Sequence, residues 1–216
     1  MNSTDQPNLN DFHTVLQDRH AVRVYDPSVK ISREELRELI ELATSAPSSS
    51  NLQPWRFLII DEPDLKQKLL PITNNQQQVV NSAAIIAVLS DLRSFEQADT
   101  IYSQTVKLGV MTEEIKKTNL ERIQKNYGDI GPERLHQINL FDAGLVSMQL
   151  MLLAKSRGYD TVPMGGYNPE LFAEVFEIPE TLKPTILIAL GKAAKPAHPS
   201  PRLSVDDITY WNSFNK

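Results

Sequence analysis

Three short apolar runs constrain the fold of this chain most: residues 55–60, 83–89 and 185–190. Each is rich in aliphatic and β-branched side chains and far shorter than the ~20 residues of a membrane-spanning helix. They read as strands, and such continuous runs predict strands covered on both faces. Helical patterns surround them. Phe12, Val15 and Leu16 share one face of a helix over residues 10–18. Ser32 and Glu35 form an S-x-x-E capping box ahead of Leu36, Leu39, Ile40 and Ala43, in a helix that should stop near Ser45, before Pro47. Pro132 and Glu133 open a long helix running to Gly158, whose apolar stripe of Leu135, Ile138, Leu145, Met148, Leu152 and Leu153 reads as core packing. A shorter helix follows Asn168, with Pro169 at its first position and Leu171, Val175 and Phe176 expected inward. The pattern defines an α/β or α+β fold, three or more strands surrounded by helices.

Two segments resist this scheme. Residues 94–131 are polar, charged and helix-prone, and read either as a solvated amphipathic helix or as an excursion forming a lid or subunit contact. The tail after Lys192 is proline-rich and ends with Ile208, Tyr210, Trp211 and Phe214, which need somewhere to dock; a neighbouring subunit is one answer.

Composition narrows the chemistry. The net charge of -5 argues against bulk attraction to nucleic acid or anionic membranes, so an anionic ligand needs a local cluster of positive groups. With no cysteine there is no thiolate nucleophile or cysteine-ligated metal, and the scatter of the four histidines argues against a histidine-rich metal site. Residues 1–6 are polar and show no signal peptide, so the expected compartment is the cytoplasm.

Four stretches carry candidate chemistry. Arg19, His20 and Arg23 are either solvated surface or a phosphate site, for which the planar guanidinium fork is well suited; Arg202 joins them if the tail folds back. The loop 46–55, A-P-S-S-S-N-L-Q-P-W, is either a plain turn or a polar wall for a heteroaromatic ligand. No G-x-S-x-G elbow accompanies it, which disfavours a serine hydrolase. Residues 73–78, T-N-N-Q-Q-Q, offer neutral amides, and 163–167, P-M-G-G-Y, hold paired glycines that serve a tight turn or the close approach of a flat ligand. These glycines are not a G-x-G-x-x-G dinucleotide fingerprint.

In this order, R-H-A-V-R at 19–23, P-S-S-S-N-L-Q-P-W at 47–55, Asn75 to Gln78, P-M-G-G-Y and Arg202 resemble the FMN-dependent nitroreductase family, over nearly the whole chain. The resemblance implies a single α+β (α/β-like) nitroreductase-type domain over 1–216, with a central mixed β-sheet flanked by helices. It further implies a domain-swapped homodimer with FMN at the interface in each of two sites. Arg19 and His20, with Ala21 between them and Arg23, would hold the FMN phosphate and ribityl chain. Arg23 matches the basic position beside the pyrimidine edge, and Arg202 a further phosphate ligand. Pro47, Ser48, Ser49 and Asn51 are similar to a loop reaching across from the partner subunit. Asn75 and Gln78 match contacts to the ribityl and ring polar atoms, and Met164, Gly165 and Gly166 the segment facing the ring. NAD(P)H and a nitroaromatic, quinone or related small aromatic acceptor would then react through the flavin, with Arg23 tuning it, no catalytic side chain and no metal; the alternatives are another flavin reaction, dehalogenation or dehydrogenation, and flavin binding without turnover. Residues 94–131 remain a lid or dimer contact, and 193–216 an extension docking on the partner.

Overall fold

The computed structural model describes residues 11–214. Asn10, the expected start of the first helix, lies outside them; the helix runs as α1, Phe12–Asp18. The next is α2, Arg33–Ala43, and Ser32 caps it as expected, its hydroxyl accepting from the Glu35 N–H at 3.1 Å. The return half of the capping box is replaced: Glu35 Oε2 instead accepts from the Tyr159 hydroxyl at 2.9 Å.

The expected strands form as β1 (Trp55–Ile60), β2 (Ala84–Asp91) and β4 (Leu182–Gly191), and a fourth, β3 (Asp160–Met164), precedes the paired glycines. The remaining helices are α3 (Pro63–Ile72), α4 (Gln78–Asn81), α5 (Ala98–Lys107), α6 (Glu113–Ile123), α7 (Pro132–Ser156), α8 (Pro169–Val175) and α9 (Val205–Ile208). The sheet order is β1-β2-β4-β3, and every neighbouring pair is antiparallel. The expected mixed sheet is therefore corrected. The helical connections from β1 to β2 and from β3 to β4 each leave and re-enter at the same end of the sheet, which makes those neighbours antiparallel. A single parallel bridge, Ala21 to Thr161, lies outside the named strands.

Both faces of the sheet are covered, as the continuous runs require. Ala84, Ile86, Val88, Ile188 and Leu190 pack with Leu36, Leu39, Val146 and Leu150 of α2 and α7. Ile85, Ala87, Leu187 and Ala189 pack on the other face with Leu69, Ile72, Val79, Phe172, Val22 and Tyr25. Gly191 permits this second layer to close: a Cβ there would lie 3.0 Å from Tyr25 Cδ1 and 3.1 Å from the Ala83 nitrogen. In α8 Phe172 is fully buried and Phe176, just after the helix, packs on the core as expected, whereas Leu171 and Val175 are exposed.

The stripe on α7 is the larger correction. Its buried face is Leu135, Asn139, Asp142, Ala143, Val146, Ser147, Leu150, Met151 and Ala154. Leu145 and Met148, expected in the core, are 47% and 38% exposed, beside Phe141 at 77% and Phe12 of α1 at 66%. With Leu152 they border an open groove of about 540 Å³. By length and composition alone α7 could cross a membrane, but its buried Asn139 and Asp142 hydrogen-bond Ser90, Asp91 and Ser49, which makes it a core element of this fold.

Candidate functional site

The antiparallel edge at β3 collects three of the four candidate stretches. The N–H of Val22 donates to the Thr161 carbonyl at 3.1 Å, laying the basic stretch alongside the start of β3. At the end of β3, Met164 is buried and Gly165 and Gly166 emerge into solvent. The Asn74 and Gln76 side-chain amides both donate to the Gly166 carbonyl at 3.0 Å, and the Asn168 N–H donates to the Ile72 carbonyl at 3.0 Å. These bonds fasten the amide-rich stretch to the paired glycines. Gln78 is buried at the start of α4, its Nε2 donating to Gln76 Oε1 at 2.8 Å, while Asn75 is exposed in the left-handed region with φ 56°. Asn74 and Gln76 were not among the residues singled out within that stretch; nothing but their neighbourhood in sequence marks them.

The glycine pair is open. A Cβ built at Gly165 meets nothing within 4 Å, and one at Gly166 meets only Gln76 Nε2 at 3.9 Å. Neither has a positive φ. Neither the backbone nor the packing of the described residues requires glycine here, and the missing side chains leave bare backbone accessible to a ligand. Tyr167, which follows them, is a half-buried phenol whose pKa is pushed up to about 12 by burial and then by Glu170.

The cations are likewise unclaimed. Arg33, Arg56, Arg93 and Arg157 all form ion pairs with carboxylates. Among the described residues, Arg19, His20 and Arg23 form none, as is also true of Arg37, Arg122 and Arg134, and Ala21 is half-buried against Thr161. Arg202 sits on the exposed tail, where its Nη1 donates to the carbonyls of Ser200 and Pro201 at 2.8 and 3.0 Å.

The fourth stretch lies elsewhere. Residues 47–54 lead into β1, at the opposite edge of the sheet from β3, three strand spacings or about 14 Å across. Pro47 is exposed and Ser48 and Ser49 are half-buried. Ser50, Asn51 and Gln53 have φ of 52°, 55° and 48°, the left-handed region in which a side chain costs about 1–2 kcal/mol, less for Asn. The loop is tied down on both flanks. Asp142 of α7 accepts from the Ser49 N–H at 3.0 and 3.1 Å and from its hydroxyl at 3.1 Å. From the 94–131 segment, Tyr102 donates to the Ser50 carbonyl at 3.0 Å and Tyr127 Oη lies 2.9 Å from Ser50 Oγ. Leu52 packs with Ala98, Tyr102 and Ile123 in a small core of its own. Burial raises the Asp142 pKa, opposed by the two hydrogen bonds from Ser49. Sequence reasoning missed Asp142, although it is the single acidic residue of α7 beyond the first turn.

An antiparallel sheet buried between helical layers in this arrangement recurs in known structures. The profile of the Nitroreductase family matches residues 16–192, and the chain belongs to that family. It is 45% identical over 204 residues to the Bacillus subtilis protein named "Putative NAD(P)H nitroreductase YdgI", covering 94% of this chain and 98% of the relative. It is 34% identical over 193 residues to the CLA biosynthesis enone reductase of Lactiplantibacillus plantarum, covering 88% of this chain and 89% of the relative. The crystal structure of an Exiguobacterium sibiricum protein, described as a "putative nitroreductase in complex with FMN", superposes with a TM-score of 0.89 at 42% identity. That match covers 94% of this chain and 98% of the other.

Proposed function

We propose that this chain is an FMN-dependent oxidoreductase that takes hydride from NAD(P)H and reduces nitroaromatic, quinone or related small acceptors, working as a homodimer. The observation that carries the reading is the open glycine pair at the end of β3, with an unpaired basic stretch laid alongside the start of the same strand, in a family whose solved members include an FMN complex. The residues fit the cofactor. Arg19 and His20 supply charge-assisted donors for its phosphate, and no carboxylate of the described chain competes for them. Gly165 and Gly166 leave bare backbone against a flat ring, and Asn75 and Gln78 stand next to them. Bound FMN supplies the two-electron chemistry, in separate half-reactions with nicotinamide and acceptor. Arg23 places a cation where negative charge develops at the pyrimidine edge. No side-chain nucleophile or general base is needed.

The same placement supports the dimer. Residues 47–51 and the β3 edge belong to one site in the resemblance but lie on opposite edges of the sheet, so the loop serves the site of a second copy. The apolar outer face of α7 and the exposed Trp211 and Phe214 of the tail offer the surface for that copy, and Arg202 would reach its phosphate from there. Residues 94–131 brace the loop through Tyr102 and Tyr127. The enone reductase relative favours a second reading of the acceptor, an activated alkene in place of a nitro group or quinone.

The test is the visible spectrum of purified protein before and after anaerobic addition of NADH or NADPH, with light scattering for mass. A yellow dimer of twice the chain mass, bleached by nicotinamide and recoloured by menadione, is expected. A protein that takes up no FMN, or holds it without bleaching, refutes the reading.

A further inference from the structure

Asp142 is 3% exposed and, among the described residues, has no cation in an ion pair. A buried carboxylate without a cation lowers stability, because its lost hydration is repaid only in part by neutral donors. All its hydrogen bonds go to one residue, Ser49, at the entrance of a loop in which Ser50, Asn51 and Gln53 adopt left-handed backbone. On the far flank Tyr102 holds the Ser50 carbonyl. Two elements far apart in sequence thus grip a loop whose intrinsic preference opposes its shape, and strain of this kind persists only where the surroundings over-determine it.

We propose that Asp142 and Tyr102 are positioning residues, holding residues 48–53 in the shape that the flavin site of the second subunit requires. This rests on the FMN reading above. Neither touches the flavin in this scheme; they act through Ser49 and Ser50. Asp142 serves the site at the expense of the fold.

The test uses the FMN-loaded dimer and the variants Asp142→Asn and Tyr102→Phe, with urea midpoints of the apo-proteins alongside. An amide at 142 keeps the volume, removes the buried charge and accepts through one oxygen only. Its midpoint should match or exceed wild type, while its FMN dissociation constant rises about tenfold, the worth of one charge-assisted hydrogen bond. Tyr102→Phe should weaken FMN about threefold, on the order of one neutral hydrogen bond, with its midpoint unchanged. FMN binding within twofold of wild type in both variants overturns the proposal, as does an affinity loss that merely tracks a lower midpoint. An Asp142→Asn chain that does not fold assigns Asp142 to the fold and overturns its part, and Tyr102→Phe decides the remainder. Wild-type protein that binds no FMN overturns the functional reading and this proposal together.

Discussion

Gly166→Ala separates what the chain needs from what its ligand needs. A methyl group at this position contacts only Gln76 Nε2, at 3.9 Å, and the backbone there is not left-handed. Replacing glycine at such a site removes freedom from the unfolded chain and stabilises the folded one by about 0.4–1 kcal/mol. For a chain of this size that raises the apo-protein's midpoint by roughly 1–4 °C. If a flat ring lies against this backbone, the same methyl holds it off van der Waals contact, and an affinity loss of at least about tenfold is expected, equal to about 1.4 kcal/mol. Ligand binding stabilises in proportion to the logarithm of concentration over dissociation constant, so the two effects oppose each other once FMN is present. The assay is a pair of thermal melts, without FMN and with FMN well above the wild-type dissociation constant. The variant should melt higher in the first and lower in the second. A variant that keeps its lead in both melts shows that the ligand does not lie on Gly166, and the argument from the open glycine pair fails.

Arg23→Gln should lower the flavin midpoint potential, by on the order of 10–30 mV given that the side chain is exposed and screened; an unchanged potential in spectroelectrochemical titration removes Arg23 from the pyrimidine edge. Met148→Glu changes a partly exposed position and should cost a lone chain less than about 0.5 kcal/mol, but a carboxylate inside a subunit interface costs several kcal/mol. Light scattering should therefore show a folded monomer that has lost FMN; an intact dimer moves the interface off α7. His136 has its pKa lowered, first by burial and then by Lys183, and its Nδ1 has no partner among the described residues. Between the lowered value and the ordinary 6.5 the unfolded chain binds more protons, so this residue's contribution to stability falls as pH drops below 6.5. His136→Gln should flatten the urea midpoint between pH 7.5 and pH 5, and an unchanged slope refutes the assignment.

What was legible in the residues was what local chemistry decides. The strand Trp55–Ile60 forms as read because an apolar, partly β-branched run between Pro54 and Asp61 has few alternatives, and α2 starts where Ser32 can cap it. Strand direction was not legible, because the helices between β1 and β2 and between β3 and β4 serve equally well as crossovers or as long returns to the same end. Nor was the placement of Leu171 and Val175, since a seven-residue helix offers several apolar residues and only packing chooses Phe172. Within the site, short stretches rich in Arg, Gly, Asn and Gln stand out one by one, and the bonds from Asn74 and Gln76 to Gly166 show how two of them meet. Their separation from residues 47–54 depends on sheet order, which no single stretch encodes.

The α7 helix shows why hydrophobic periodicity misassigned its faces. Phe141, Leu145, Met148 and Leu152 follow one another at spacings of four, three and four residues, the pattern of a buried helical seam, yet they point away from this chain's core. The side turned inward carries Asn139, Asp142 and Ser147 among its buried residues, and two of these act as ties: Asn139 to Ser90 and the Asp91 carbonyl, Asp142 to Ser49. A helix of a lone globular chain would carry one apolar stripe, whereas α7 buries Val146, Leu150 and Met151 on one side and leaves a second apolar row uncovered. The two faces are consistent if the outer seam closes against a second copy while the inner polar residues hold the end of β2 and the loop before β1. One helix would then join the subunits and anchor the loop that each lends to the other, so that loss of the seam and loss of cofactor should occur together.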